Sequence, residues 1–228
     1  MPAWKDDREL FDLCRKELFP AVVGDVMDAA GLTHQFLPPQ IKPLHEDMVV
    51  VGRAMPVLEA DCSGGEVAHE GRSRPFGLMF EALDDLKPGE VYVATGGTAR
   101  YALWGELMST RARFLGAAGA VVNGYLRDSK GILQLGFPAF SWGTYAQDQG
   151  ARGRVVDFRC ALEFPEGVRV RPGDLVFGDV DGVLVVPREH EADLIEKAVE
   201  KVRGENRVRK AIEEGMSTRE AFDSFGIM

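Results

Sequence analysis

Disulfide and zinc chemistry have little to work with in this chain. Its three cysteines, Cys14, Cys62 and Cys160, form no CxxC pair, and an odd, scattered set suits reduced thiols. Its four histidines, His34, His45, His69 and His190, show neither HxxxH nor HxH spacing, which argues against a zinc site. No apolar run reaches the ~18 residues a membrane helix needs. The start, MPAWKDDRELFD, is charged and lacks an apolar signal core, so a cytoplasmic rather than secreted protein is expected. GxxxxGK[ST] and GxGxxG are missing too, which disfavours a phosphate loop, a dinucleotide fingerprint and a methyltransferase-type cofactor loop. With no internal repeat and no low-complexity linker, residues 1–228 read as one domain.

What is present is an ordinary globular composition with an acidic balance. Hydrophobic residues make up 45% and charged residues 28%, and the 36 acids exceed the 27 bases by 9. A net-acidic surface repels phosphate backbones, which argues against nucleic acid as the main ligand. The chemistry must therefore come from motifs.

Arg8 to Leu18 reads as an amphipathic helix stopped by Pro20, and Val22 to Ala30 as a second helix ended by Gly31. Met48 to Leu58 reads as a strand, Asp61 to Arg74 as a long Gly-rich loop, and Phe76 to Leu86 as helical. Glu90 to Thr95 is a short strand. Glu106 to Ala118 follows as a helix with Leu107, Met108, Ala112, Leu115 and Ala118 inward, and Gly119 ends it. Ala120 to Asn123 is a buried strand. Strand, helix, strand predicts a parallel βαβ unit, whose sites gather at the C-terminal ends of the strands. Pro138–Trp142, Arg154–Glu163, Asp174–Phe177 and Val183–Pro187 are strand-like, and the helices Glu189–Glu214 and Thr218–Phe225 close the chain.

The strongest local signal is WGELMSTRARFLGAAGAVVNGYLRD, Trp104 to Asp128. Gly105 and Glu106 stand at a helix start, where unpaired N–H groups and the positive dipole end favour an anion. Arg127-Asp128 leaves the next strand and faces the same crevice. Arg127 can grip a carboxylate or enolate oxygen through two hydrogen bonds. Asp128 and Glu106 offer hard oxygens suited to Mg²⁺. Together they fit a small 2-oxo acid chelated by a metal that acts as a Lewis acid. Taken alone, Arg-Asp also reads as a solvated pair, and Glu106 as a charge placed for the helix dipole.

The segment from Glu90 to Pro187 resembles the RraA-like family, which includes 4-hydroxy-4-methyl-2-oxoglutarate aldolases and regulators of ribonuclease activity. The aldolase pattern is an Asp, twenty residues, then Arg-Asp. Glu106, Leu107 to Leu126, and Arg127-Asp128 reproduce that spacing, and GDVDGVLVVP, Gly178 to Pro187, resembles a second recurring segment. The resemblance implies an α/β protein of three-layer β/β/α swivelling-domain type, with a central parallel sheet, added antiparallel strands and a C-terminal helix. It also implies a homotrimer or hexamer, with the N-terminal helices (about 7–31) and the C-terminal helical segment (about 189–226) in the contacts.

Carried over residue by residue, the resemblance makes Asp128 the metal ligand for Mg²⁺ or Mn²⁺ and Arg127 the enolate-stabilising group. Glu106 acts through metal-bound water, and Gly105, Glu106, Leu107 and Met108 bind substrate, the last two through their N–H groups. A C-terminal acid of a neighbouring subunit completes the metal shell, with Glu205 chosen over Glu196 and Glu200. The chain departs from the pattern at Glu106, where the aldolases have Asp. The family's broader pattern has Gly at that position and an acid three residues after a later Gly; here Gly131 matches but Gln134 stands in place of the acid.

The expected activity is a metal-dependent carbon–carbon lyase on a small 2-oxo acid, either retro-aldol cleavage to pyruvate or oxaloacetate decarboxylation. The alternatives are a non-catalytic regulator that binds an RNA-processing enzyme, and a lyase or dehydratase on a sugar-acid derivative. His69, with Glu66 and Glu70 in the Gly-rich loop, reads as a proton donor, a distal contact or a solvated side chain. Gly96-Gly97-Thr98 reads as a tight turn beside the substrate, with Arg100 and Tyr101 reaching the same crevice. Asp179 and Asp181 read as a hairpin turn, Cys62 as no nucleophile, and Trp4, Trp104 and Trp142 as packing or subunit contacts.

Overall fold

The computed structural model describes residues 4–62 and 75–226, together with the backbone of 68–69 and 72–73. Helix α1, Asp7–Glu17, starts where the Asp6 side chain accepts from the Glu9 N–H, and it carries acids in its first turn and bases in its last. Pro20 does more than follow α1: it is the first residue of α2, Pro20–Ala29, where its missing N–H costs nothing.

Eight strands form the main sheet: β1 Lys42–Pro43, β2 Val50–Asp61, β3 Glu90–Thr95, β4 Gly119–Val122, β5 Ala139–Ser141, β6 Gly153–Phe158, β7 Leu175–Asp179 and β8 Gly182–Val186. Their order is β1-β5-β4-β3-β2-β7-β8, with β6 also paired to β2. The central run β2, β3, β4, β5 is parallel, and β1, β6, β7 and β8 are antiparallel additions. β2 serves β7 with its first half (Val50–Arg53) and β6 with its second (Val57–Asp61).

The helices are α3 Met79–Asp84, α4 Glu106–Phe114, α5 Ser129–Leu135, α6 Glu191–Glu213 and α7 Thr218–Phe225. The strands alternate their apolar side chains between two layers, as the pleat requires. Tyr92 and Ala94 join Met55, Val57 and Trp104 against α3, α4 and α5. On the same side, Val51 and Phe177 join the cluster of α1, α2 and α6. Val91 and Val93 point the other way, against Val176, Phe164 and the small ribbon Leu162–Glu163/Arg169–Val170. Helices on one face and extended chain on the other make the expected three-layer β/β/α arrangement. Among the described residues no helix is long and apolar enough to cross a membrane.

α4 departs from its sequence reading. It ends at Phe114, and Ser109 and Ala112 are its buried residues, whereas Leu107 is 77% exposed. Gly119 is the first residue of β4 rather than a helix cap. The helix stops early because the chain needs the intervening residues to turn back into the sheet. The Asp179–Asp181 turn is the hairpin between β7 and β8, closed by the Asp181 N–H donating to Asp179 Oδ1 at 2.9 Å. Trp104 is a packing residue, stacked on Phe137 and tilted against Tyr92.

Candidate functional site

Two short parallel strands bring the key residues together. Ala102–Trp104, just after β3, pairs with Tyr125–Leu126, just after β4. Both extend parallel sheet strands beyond their C-terminal ends, where open α/β sheets place their ligands. The Arg127 N–H donates to the Trp104 carbonyl at 2.9 Å, so Gly105 and Arg127 emerge side by side.

Gly105 is the N-cap of α4, in extended conformation and with no side chain to satisfy the helix N–H groups. A Cβ there would stand 3.2 Å from Asp128 Oδ2 and 3.4 Å from Arg127 Cγ, so glycine keeps the helix N-terminus open beside both. Asp128 is the N-cap of α5 in the left-handed region (φ 55°), yet its carboxylate makes no capping bond. That oxygen turns instead towards Arg127 Nε, at 3.5 Å. On its other side Arg127 Nη1 meets Asp148 Oδ1 at 2.8 Å. The guanidinium is thus held between two carboxylates at the mouth of a helix dipole.

These groups edge a cavity of about 300 Å³. Gly105, Leu107, Met108, Arg127 and Asp128 all line it, so the structure brings these sequence-predicted residues together. Glu106 does not line it. Its side chain lies over Gly131 of α5, where a Cβ would be 2.3 Å from Glu106 Cγ, and Glu106 Oε1 accepts from Thr110 Oγ1 at 3.2 Å. Glu205 lies on α6, outside the cavity of its own chain, 3.6 Å from Lys201 Nζ.

Other expectations fare differently. The Gly96-Gly97-Thr98 turn is filled from within: the Thr98 N–H, Thr98 Oγ1 and Tyr101 hydroxyl all donate to Asp61 Oδ1. Arg100 lines a separate surface depression with Arg152, Tyr125 and Tyr145, so neither it nor Tyr101 shares the Arg127 crevice. Glu66 and Glu70 lie outside the described residues, and His69 is described only as backbone paired with Arg72. Among the described residues no three His, Cys, Asp or Glu side chains gather as a metal cage. Asp128 presents carboxylate oxygen, the donor type a hard divalent cation takes, beside the space that Gly105 leaves open.

Two polar residues and a whole wall were missed by sequence reasoning. Asp148 and Gln149 sit in the loop after β5, another parallel strand end, and that position was the available signal. Gln149 is buried and donates from Nε2 to Glu59 Oε2 at 2.7 Å. Burial pushes the Glu59 carboxyl up to about 8, although the Gln149 hydrogen bond pulls it down. The apolar wall comes from α3 and the residues before it, and no motif announced it.

Comparison with known proteins bears on the family and the fold. The sequence matches the RraA-like family (Aldolase/RraA) over residues 20–185. It is 34% identical over 204 residues to the "Putative 4-hydroxy-4-methyl-2-oxoglutarate aldolase" of Halalkalibacterium halodurans, covering 88% of this chain and 87% of that one. An uncharacterized protein from Pseudomonas syringae pv. tomato superposes with a TM-score of 0.78 at 25% identity, covering 94% of this chain and 96% of the other. Streptomyces coelicolor RraAS2, described as an unusual member of the RNase ES inhibitor RraA family, superposes with a TM-score of 0.74 over 91% of this chain and 99% of its own. At 23% identity that likeness shows the fold alone.

Proposed function

The chain belongs to the RraA-like family, and on that premise we propose that it is a divalent-metal-dependent carbon–carbon lyase acting on small 2-oxo acids. The observation that carries the proposal is Arg127, held between Asp128 and Asp148 at the open N-terminus of α4. The first-turn N–H groups of Leu107 and Met108 have no intrahelical acceptor and take the substrate carboxylate. Arg127 then lies beside the 2-oxo oxygen, and its fixed positive charge is worth most when that oxygen becomes an enolate.

In the retro-aldol direction the C4 hydroxyl loses its proton and the C3–C4 bond breaks. Its electron pair passes into the pyruvate enolate, an aldehyde or ketone departs, and C3 takes up a proton. In oxaloacetate decarboxylation the same bond breaks with loss of CO₂ and gives the same enolate. Asp148 fixes the guanidinium so that little reorganisation is needed as charge develops. The C4 hydroxyl proton passes to water; Glu106, whose carboxylate is turned to Thr110 and Gly131 rather than into the cavity, would take it only after a change of side-chain rotamer. Asp128 would hold Mg²⁺ or Mn²⁺, with Glu205 of a neighbouring copy in a trimer or hexamer as a further acid, and the cation would supply Lewis-acid stabilisation of the developing enolate.

The test is pyruvate release from 4-hydroxy-4-methyl-2-oxoglutarate and from oxaloacetate, followed by coupled reduction to lactate with Mg²⁺ or Mn²⁺ present. Turnover that EDTA abolishes, and that Arg127→Ala lowers about 100-fold or more with the fold intact, is the expected result. No pyruvate from any 2-oxo acid would overturn the proposal and leave the regulatory reading in its place.

A further inference from the structure

The cavity beyond Arg127 has a chemical character of its own. Its polar lining is Arg127, with Asp128, Asp148 and Gly105 close about it, and Gln149. The rest of the wall is apolar. Met79, Phe80 and Leu83 enter from α3, Met108 from α4, Leu103 from the strand before α4, and Phe76 stands edge-on to Phe80 with ring centroids 5.8 Å apart. Met79, Leu83 and Leu103 belong to the main core cluster, so this wall is backed by packed protein rather than by loop.

A dicarboxylic 2-oxo acid anchored at Arg127 leaves its far carboxylate to be met by the rest of the cavity wall of this chain. Among the described lining residues Arg127 is the only cation, and two carboxylates already engage it. A far carboxylate turned into this cavity would shed part of its hydration against six apolar side chains with Asp148 nearby, and a charge desolvated without a partner is costly. An alkyl or aryl group there loses nothing and buries apolar surface. At about 300 Å³ the cavity is at the small end of ligand pockets, large enough for a short 2-oxo acid bearing one ring or branched chain.

We infer that this chain selects 2-oxo acids whose distal half is apolar, a 4-hydroxy-2-oxo acid with an aryl or branched alkyl group on C4, rather than dicarboxylates. This rests on the reading of Arg127 as the 2-oxo acid anchor. Retro-aldol cleavage of such a substrate breaks C3–C4, leaves pyruvate after protonation of C3, and releases an apolar aldehyde as the C4 hydroxyl gives up its proton.

Two measurements on the full-length protein with Mg²⁺ separate the inference from the reading beneath it. The first is calorimetric binding of 4-phenyl-2-oxobutanoate and of 2-oxoglutarate, neither of which can undergo the cleavage. The second is pyruvate release from 4-hydroxy-4-phenyl-2-oxobutanoate and from 4-hydroxy-4-methyl-2-oxoglutarate. The expected results are at least tenfold tighter binding of the phenyl acid and at least tenfold higher kcat/KM for the phenyl substrate. Phe80 is half exposed, so Phe80→Arg leaves the core intact, which the melting temperature checks, and it is expected to shift both ratios at least tenfold towards the dicarboxylates. Equal or better binding and turnover of the dicarboxylates by the unaltered protein would overturn the inference while leaving the lyase standing. Tight binding of the phenyl acid with no pyruvate from any substrate would support the cavity assignment and overturn the lyase. No binding of the phenyl acid, with Phe80→Arg changing nothing, would overturn the inference and mark the cavity as a surface that a second copy of the chain covers.

Discussion

Gln149 donates from Nε2 to Glu59 Oε2 across 2.7 Å, tying a residue of the cavity wall to a carboxyl buried in β2. Among the described residues neither Glu59 Oε1 nor the Tyr92 hydroxyl has a hydrogen-bond partner, so one oxygen of this buried acid is unmet there. Its folded value near 8 lies above the ordinary 4.5, because burial favours the neutral form. The folded protein therefore binds a proton that the unfolded chain has released across that interval, and Glu59 makes stability fall as pH rises from about 4.5 to about 8. Glu59→Gln is expected to remove that slope. Urea unfolding at several pH values should show the variant gaining on the parent up to about pH 8, by at most about 5 kcal/mol. A constant difference between the two would show that Glu59 does not titrate in this window.

Glu106 and Gly131 form a lock between α4 and α5. A Cβ at position 131 would meet Glu106 Cγ at 2.3 Å and Cβ at 3.0 Å. Gly131→Ala is expected to displace the Glu106 side chain and to destabilise the protein by about 1–3 kcal/mol. Combining it with Glu106→Gly should recover most of that loss in a double-mutant cycle. Additive losses would mean that the clash is relieved elsewhere.

Arg53 joins three elements. It leaves β2 and binds Asp7 of α1 and Glu191 of α6, with its guanidinium 5.6 Å from the Phe11 ring centroid. Arg53→Ala strands the Glu191 carboxylate, which is only 10% exposed, and is expected to cost about 3–5 kcal/mol in chemical unfolding. The Arg53 hydrogen bond holds the Asp7 carboxyl below its usual range. Its contribution is therefore present above an ordinary carboxylate value and lost as pH falls through the lowered one. Asp7→Asn should blunt the loss of stability in acid.

Arg127 is flanked rather than free, so its two partners should affect catalysis differently from its charge. Arg127→Lys keeps the charge but loses the planar fork, and is expected to lower kcat about 10- to 100-fold. Asp148→Asn keeps the shape of the partner and should lower kcat by a smaller factor with little change in KM. Equal kcat for parent and Arg127→Lys would show that only charge matters at this position.

Much of the architecture was legible locally. Glu90–Thr95 reads directly as a strand, and the structure then sends Val91 and Val93 to one layer and Tyr92 and Ala94 to the other. The spacing from Gly105 to Asp128 places two loops at one sheet edge, because a parallel βαβ unit leaves both strand ends on the same side. That is why Arg127 and Asp128 were found without coordinates. Helix α5 was missed, and so was the early end of α4: a seven-residue helix and a nine-residue one offer too few turns for periodicity to fix.

What the sequence determined by itself, then, was the parallel core and the meeting of the Gly105 and Arg127 loops, since hydrophobic period and motif spacing are local properties, while the fold class followed from the family resemblance. Only the tertiary structure decided which side chains Arg127 meets. Glu59 and Gln149 are 90 residues apart, and nothing in either neighbourhood marks the other. Asp148 reaches Arg127 because the loop after β5 crosses the end of β4, and α3 supplies an apolar wall because the sheet packs it beside α4. The direction of Glu106 was likewise set by the absent side chain of Gly131 on another helix. These are consequences of strand order and close packing, in which residues distant in the chain must share one volume, and no local pattern records the outcome.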